Sequence, residues 1–403
     1  MVISFHSYFA LLGLLVVLLT ACGARESSEH PTVRDSAGVT IVTSSQPRWT
    51  SEQAWTLSPS PSLEIGMTDG APEYQFYRVE GAQRLDNGRI VVADAGSGEL
   101  RLFDGAGRFL KSTCGQGEAP GEYRQITAIG RGPADSIWVY DFGLRRFTVL
   151  NSDCETVRTV SVGGTLSAVG AVGRLPDGSF VVKEGWSATT HEGAQHGLVR
   201  DPVAVVRIEP DGSHHDTITT VAGREIFIST EDGRAVMSAP LFARSSSAVI
   251  RGDAVFVGDQ AALEISLYSV AGTVEQIFRA PGVDLGLTSA IVERYKEDLL
   301  AREPEDRRAM VRRHYDAMEA PPSRPAYGGL LIDADGNLWT GEYVRYPAQP
   351  VVWTVFSAAG ELLGEVRVPQ RFKVLEIGSD WIIGVGRDEL DVEHVRLYGI
   401  QKE

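Results

Sequence analysis

Acidic residues recur in this chain at one place in a repeating pattern. Asp94, Asp141, Glu184, Asp259 and Glu342 each end an apolar, β-branched or aromatic run, and Arg387-Asp388 stands just beyond the corresponding place near the C-terminus. Carboxylates gathered at one end of a fold act in one of two ways. Each can accept N–H groups from its own loop, as Asx-type turns do. Together they can form an electronegative rim that attracts a divalent cation or a cationic ligand. A second set is His191 and His196, on a long loop with Glu184, Glu192 and Asp201 nearby. Two imidazoles and carboxylates suit a transition metal, but the spacing is not helical and no third His or Cys joins them. They are weak metal candidates, set against a solvated loop.

A third set is glycine-rich. Gly115, Gly117 and Gly121 follow the strand-like run Arg108-Phe109-Leu110-Lys111. A phosphate loop opens a helix whose N–H groups meet the anion. This stretch instead carries Glu118, Pro120 and Glu122 and leads into Ile126-Thr127-Ala128-Ile129, another strand. The same connector recurs upstream as Thr68 to Tyr74, so the glycines read as a joint between repeats. No G-x-S-x-G and no Ser or Cys with a placed base is present, so nothing nominates a catalytic nucleophile.

The elements that hold these residues follow from periodicity. Arg84 to Asp94, Glu99 to Phe103 and Arg108 to Lys111 spell strand, hairpin, strand, loop, strand, turn, strand. Asn87-Gly88 supplies the positive φ angles of the tight hairpin. The order returns from Asp135, Pro176, Gly252, Asp335 and Gly378, making six units. The last stops near Gly399 without a fourth strand, and Val39–Thr43 and Leu57 to Ile65 are candidates to complete it. The expected fold is all-β: residues 38–403 as one six-bladed β-propeller closed by N-terminal strands. Each acid then falls at the same end of the ring. Residues 283–325 break the rhythm with two helical stretches between the fourth and fifth units. Their apolar faces are read as Ile291/Tyr295/Leu299 and Val311/Tyr315/Met318.

The N-terminus has its own chemistry. Residues 1–21 contain a short apolar run, too short to span a bilayer, ending Leu19-Thr20-Ala21 before Cys22. That is the pattern of a bacterial lipobox, and lipid on Cys22 would hold the chain to a membrane. Residues 22–37 read as a polar, irregular tether. Gly23 after Cys22 agrees with outer-membrane sorting, placing the rest of the chain in the cell envelope outside the cytoplasm. Cys114 and Cys154 remain as an even pair in a disulfide-permissive compartment. Their opposite ends of neighbouring units work against a bridge.

The repeat resembles the NHL type of six-bladed propeller. The motifs Asp35-Ser36-Ala37-Gly38-Val39-Thr40-Ile41-Val42, Gly117 to Tyr123 and Arg387 to Val395 make the whole chain similar to bacterial six-bladed propeller lipoproteins of unassigned activity. That family implies a fold and leaves function open. Calcium-dependent lactonases also use six-bladed propellers, with Asn and acidic ligands. The three asparagines here, Asn87, Asn151 and Asn337, fall in hairpin turns at the end opposite the acids.

The net charge of −15 excludes a nucleic-acid partner, which needs a basic stripe. The expected function is a lipid-anchored binding or interaction scaffold for a protein or small-molecule ligand. Its rim is Asp94, Asp141, Glu184, Asp259, Glu342, Arg387 and Asp388, and no cofactor is required beyond an optional divalent cation. The alternative is a metal-dependent hydrolase or lyase using the same mouth.

Overall fold

The computed structural model describes residues 30–113, 115–164, 166, 168–185, 196–213, 215–231, 234–344 and 350–402. The expected signal segment, Cys22, Cys114 and His191 lie outside them. Among the described residues no helix is long and apolar enough to cross a membrane.

The first sheet shows why these residues form strands. Val79–Arg84, Ile90–Asp94, Glu99–Phe103 and Phe109–Thr113 pair antiparallel in chain order. Ile90–Asp94 is buried on both faces, matching its unbroken Ile-Val-Val-Ala run, whereas the outermost Phe109–Thr113 alternates between half-buried and exposed. Gly88 turns the first hairpin with φ of 83°, and Asn87 Oδ1 accepts the Arg89 N–H at 3.0 Å.

Five further sheets repeat the plan. They begin with the strands Ile126–Arg131, Val169–Arg174, Ser247–Arg251, Gly329–Ile332 and Phe372–Ile377. The six first strands neighbour one another in a closed circuit, the sixth returning to the first. The core follows the same circuit, as six apolar clusters, each between two adjacent sheets. Between the first and second sheets the packing leaves no room for a side chain at Gly81. A Cβ on Gly81 would stand 2.1 Å from Ile129 Cγ2 on the second sheet.

The sixth sheet has three strands of its own, and Thr56–Leu57 and Leu63–Ile65 pair with its last strand, Glu393–Gln401. The other N-terminal candidate goes elsewhere. Val39–Thr43 joins the outer edge of the fourth sheet, parallel to Val274–Arg279, with Ile41 opposite Ile277. Thr32–Ser36, in the stretch expected to be irregular, folds back on it through Ala37-Gly38, both at positive φ. A separate three-stranded sheet, Gly197–Val199, Ile226–Glu231 and Arg234–Ser238, lies beside the third.

Between the fourth and fifth sheets stand two helices, α1 (Ser289–Leu300) and α2 (Glu305–Asp316). Thr288 Oγ1 caps α1 by accepting the Ile291 N–H. The face of α1 differs from expectation: Val292, Tyr295 and Leu299 pack on Leu241 and Phe242, while Ile291 is exposed.

Candidate functional site

The rim acids do stand at one end of the sheets, because each ends a second strand, or follows one directly, where the first and third strands begin. Their oxygens are already engaged. Asp141 is fully buried, and its carboxylate accepts N–H groups from Arg124 at 2.7 Å, Gln125 at 3.2 Å and Leu144 at 2.8 Å. Asp94, also buried, accepts from Tyr77 and Gly96 at 3.2 Å each and pairs with Arg101 Nη2 at 3.1 Å. Burial pushes the Asp94 carboxyl above its ordinary range, with Arg101 and the two N–H groups pulling the other way.

The remaining acids follow suit. Glu184 accepts the Ala204 N–H at 3.0 Å, and exposed Glu342 approaches the Val352 N–H at 3.5 Å. Asp259 accepts from Ala261 at 3.0 Å and faces Arg200 at 3.6 Å. Asp388 accepts from Leu390 and Val392 at 2.8 and 2.9 Å, and those backbone donors, with His394 beside them, lower its carboxyl. Arg387 donates to Glu393 at 2.6 Å. The rim carboxylates accept backbone N–H groups both from their own loops, as at Leu144 and Gly96, and from the connector before the first strand, as at Arg124 and Tyr77.

The other candidates resolve separately. His196 presents its ring to the edge of Phe227, centroids 5.1 Å apart, and its partner in the motif, His191, lies outside the described residues. Among the described residues no three His, Cys, Asp or Glu side chains converge as metal ligands. Cys154 is a free, buried thiol, pushed up to about 11 by burial; Cys114 lies outside the described residues.

The glycine-rich loop turns its carbonyls inward. Arg146 donates to the carbonyls of Glu118, Ala119 and Glu122, each at 2.7 Å. One sheet earlier, Arg101 donates to the carbonyls of Pro72, Glu73 and Gln75. A third-strand arginine thus gathers each joint, and the loop's polar groups are directed at a cation of the protein itself. Neither arginine was nominated by motif. The signal is an Arg within an apolar third strand, visible in Glu99-Leu100-Arg101-Leu102-Phe103.

Sequence reasoning also missed Lys183. At the acid-bearing end a cavity of about 360 Å³ lies between the third, fourth and fifth sheets, lined by Gly170, Ala171, Lys183, Ser247, Ala248 and Gly329, among others. Lys183 Nζ donates to the carbonyl of Glu184 at 3.2 Å. Among the described residues no carboxylate forms an ion pair with it, and burial lowers the pKa of its ammonium. Beneath the cavity Gln260 accepts the Ser245 N–H at 2.7 Å and directs its amide towards Gly328 O and Ser247 Oγ. Arg200 holds the same corner through the carbonyls of Gly223, Ser245 and Asp259.

No family model matches this sequence, and neither does any curated protein sequence. Solved structures do match. A member of the DUF4221 family from Bacteroides vulgatus covers 87% of this chain and 99% of its own, at TM-score 0.53 and 11% identity. A Bacteroides fragilis protein described as exported covers 90% of this chain and 100% of its own, at TM-score 0.50 and 12% identity. A gluconolactonase from Xanthomonas campestris matches at TM-score 0.44 and 12% identity, over 81% of this chain and 87% of its own. Likeness at these identities speaks for fold alone: the chain is an all-β, β-propeller-like protein.

Proposed function

We propose that the six sheets are the blades of a six-bladed β-propeller. Its ring is closed by Thr56–Leu57 and Leu63–Ile65, and α1 and α2 form an insertion between blades four and five. The chain is anchored through lipid on Cys22 at the bacterial cell envelope, at the outer membrane and outside the cytoplasm. Its acid-bearing mouth serves as a scaffold that binds a protein or small-molecule ligand.

The observation that carries a scaffold over a metal-dependent hydrolase or lyase is the engagement of the rim carboxylates. Calcium needs six to eight oxygens, and the oxygens of Asp141, Asp94 and Asp388 are already held by backbone N–H groups or Arg101. The same end exposes apolar surface on irregular loops, with Tyr77 at 77% and Leu390 at 73%, a composition suited to contact with a partner. Two measurements test the reading. Metal analysis of the purified protein is expected to find no stoichiometric ion, and one retained through dialysis would overturn the scaffold. Cys22→Ser is expected to release the chain from the membrane fraction; retention there would overturn the anchor.

A further inference from the structure

We infer that the cavity between the third, fourth and fifth sheets is a binding site for a small organic monocarboxylate, held by Lys183 and Ser247. This deepens the scaffold reading and rests on it, by assigning the ligand class that the mouth accepts.

The inference begins with donors lacking acceptors. An ammonium has three N–H groups, and Lys183 gives one to the Glu184 carbonyl. Among the described residues it has no anionic partner, although burial disfavours its charge. Glu184 does not supply one: successive strand residues point to opposite faces, and its carboxylate accepts the Ala204 N–H. On the facing sheet, Ser247 Oγ is approached by the Gln260 amide as a donor at 3.5 Å. Its own O–H is therefore left to donate. Two donors that line one cavity, from neighbouring sheets, call for an acceptor within it.

The walls narrow the class. Gly170, Ala171, Ala248 and Gly329 contribute small, apolar surface, and the volume of about 360 Å³ is in the range of small-molecule sites. A single ammonium, with no arginine fork and no helix N-terminus among the lining residues, matches one negative charge better than a phosphate dianion. An apolar tail would lie on the glycine and alanine walls.

The repeat marks the same residue. In the five units whose second strand runs into an acid, the position before that acid is Ala93, Tyr140, Lys183, Gly258 and Gly341. Four of the five are small or aromatic. One carries a charge, and it is the one that lines the cavity.

Butanoate and its uncharged counterpart butanamide, applied to the detergent-solubilised full chain, test the site. Lys183 acylation by an amine-reactive ester is followed by peptide mass spectrometry, and binding by calorimetry. Butanoate is expected to slow acylation of Lys183 by roughly tenfold or more, as a charge-assisted hydrogen bond implies, and butanamide to leave it unchanged. Lys183→Gln, with its fold checked by circular dichroism, is expected to weaken butanoate binding by a similar factor. Unchanged acylation, or equal protection by butanamide, overturns the inference. Binding heat without protection of Lys183 also overturns it, while leaving the scaffold reading intact. That reading falls only on its own metal and membrane measurements.

Discussion

Asp94 in the first sheet and Lys183 in the third stand at adjacent positions of the same repeat near the end of a second strand, Asp94 buried and Lys183 half-buried. Asp94 is surrounded by compensation: Arg101 at 3.1 Å and the N–H groups of Tyr77 and Gly96. Lys183 has one carbonyl and a cavity. Burying a charge is costly unless it is paired and hydrogen-bonded. The first arrangement therefore belongs to the architecture of the ring, and the second has, among the described residues, one carbonyl and no anionic partner. The contrast separates a side chain that holds the fold from one that waits for a ligand.

The strongest way to break this comparison is to remove Asp94. Asp94→Ala removes the buried carboxylate partner of Arg101, which keeps Glu99 at 3.1 Å and the carbonyls of the joint, and deprives two N–H groups of their acceptor. A loss of about 3–5 kcal/mol is expected, mainly from the unsatisfied donors, read by denaturant unfolding. A loss below about 1 kcal/mol would show that the pair contributes no more than a surface bridge, and the contrast with Lys183 would disappear.

Glu376 is an intermediate case at the opposite end of the circuit. It accepts the Arg84 N–H at 2.7 Å, and Arg131 stands 3.7 Å away. Burial still dominates and pushes its carboxyl up to about 7, from an ordinary 4.5. The sign follows from proton binding: with the folded pKa raised, this group's contribution is fully present below the unfolded value and is lost as pH rises through 7. The protein is expected to lose on the order of 3 kcal/mol between pH 4.5 and 8 through this group, and Glu376→Gln to flatten that slope. A slope unchanged in the variant would show that Arg131 and the Arg84 N–H offset the burial of the Glu376 carboxylate.

Lys183→Met should act in the opposite direction from Asp94→Ala. Exchanging an uncompensated ammonium for an apolar chain of similar length is expected to raise the unfolding free energy by about 1 kcal/mol in the empty protein. Destabilisation by about the same amount would mean that Lys183 has a structural partner, and the two positions would then be alike.

How much of this contrast is legible in the sequence depends on whether the deciding partner is local. The strand runs and the Asn87-Gly88 hairpin are legible because period and turn chemistry act within a few residues. The destination of Val39–Thr43 is not, since an edge strand says nothing of which distant edge it will join, here Val274–Arg279. The buried face of α1 is ambiguous for a related reason. Ile291 and Val292 both precede Tyr295 and Leu299 at helical spacing, and contact with Leu241 and Phe242 selects Val292. The acids are legible as a ring and as groups that accept N–H donors from their own loops, such as Leu144 on Asp141, but the donors from the connector about 16 residues away are not. Lys183 is legible only by comparing the six second strands with one another.

Tyr140 provides the finest test, because it occupies the Lys183 position one sheet earlier. It is fully buried, its ring lies 4.7 Å from that of Phe147, and among the described residues its hydroxyl has no hydrogen-bond partner. Burial pushes that hydroxyl up to about 12, the same desolvation that lowers the pKa of the Lys183 ammonium. An unpartnered buried hydroxyl costs about 1–3 kcal/mol on protein scales, partly offset by the packing its oxygen supplies. Tyr140→Phe is therefore expected to be neutral or to stabilise by up to about 1 kcal/mol in urea unfolding. A loss larger than that would give the hydroxyl a structural role and separate it from Lys183. With both substitutions stabilising, the position before the rim acids would be one where this ring tolerates polar atoms that its own stability does not require, and at Lys183 that position opens onto a cavity.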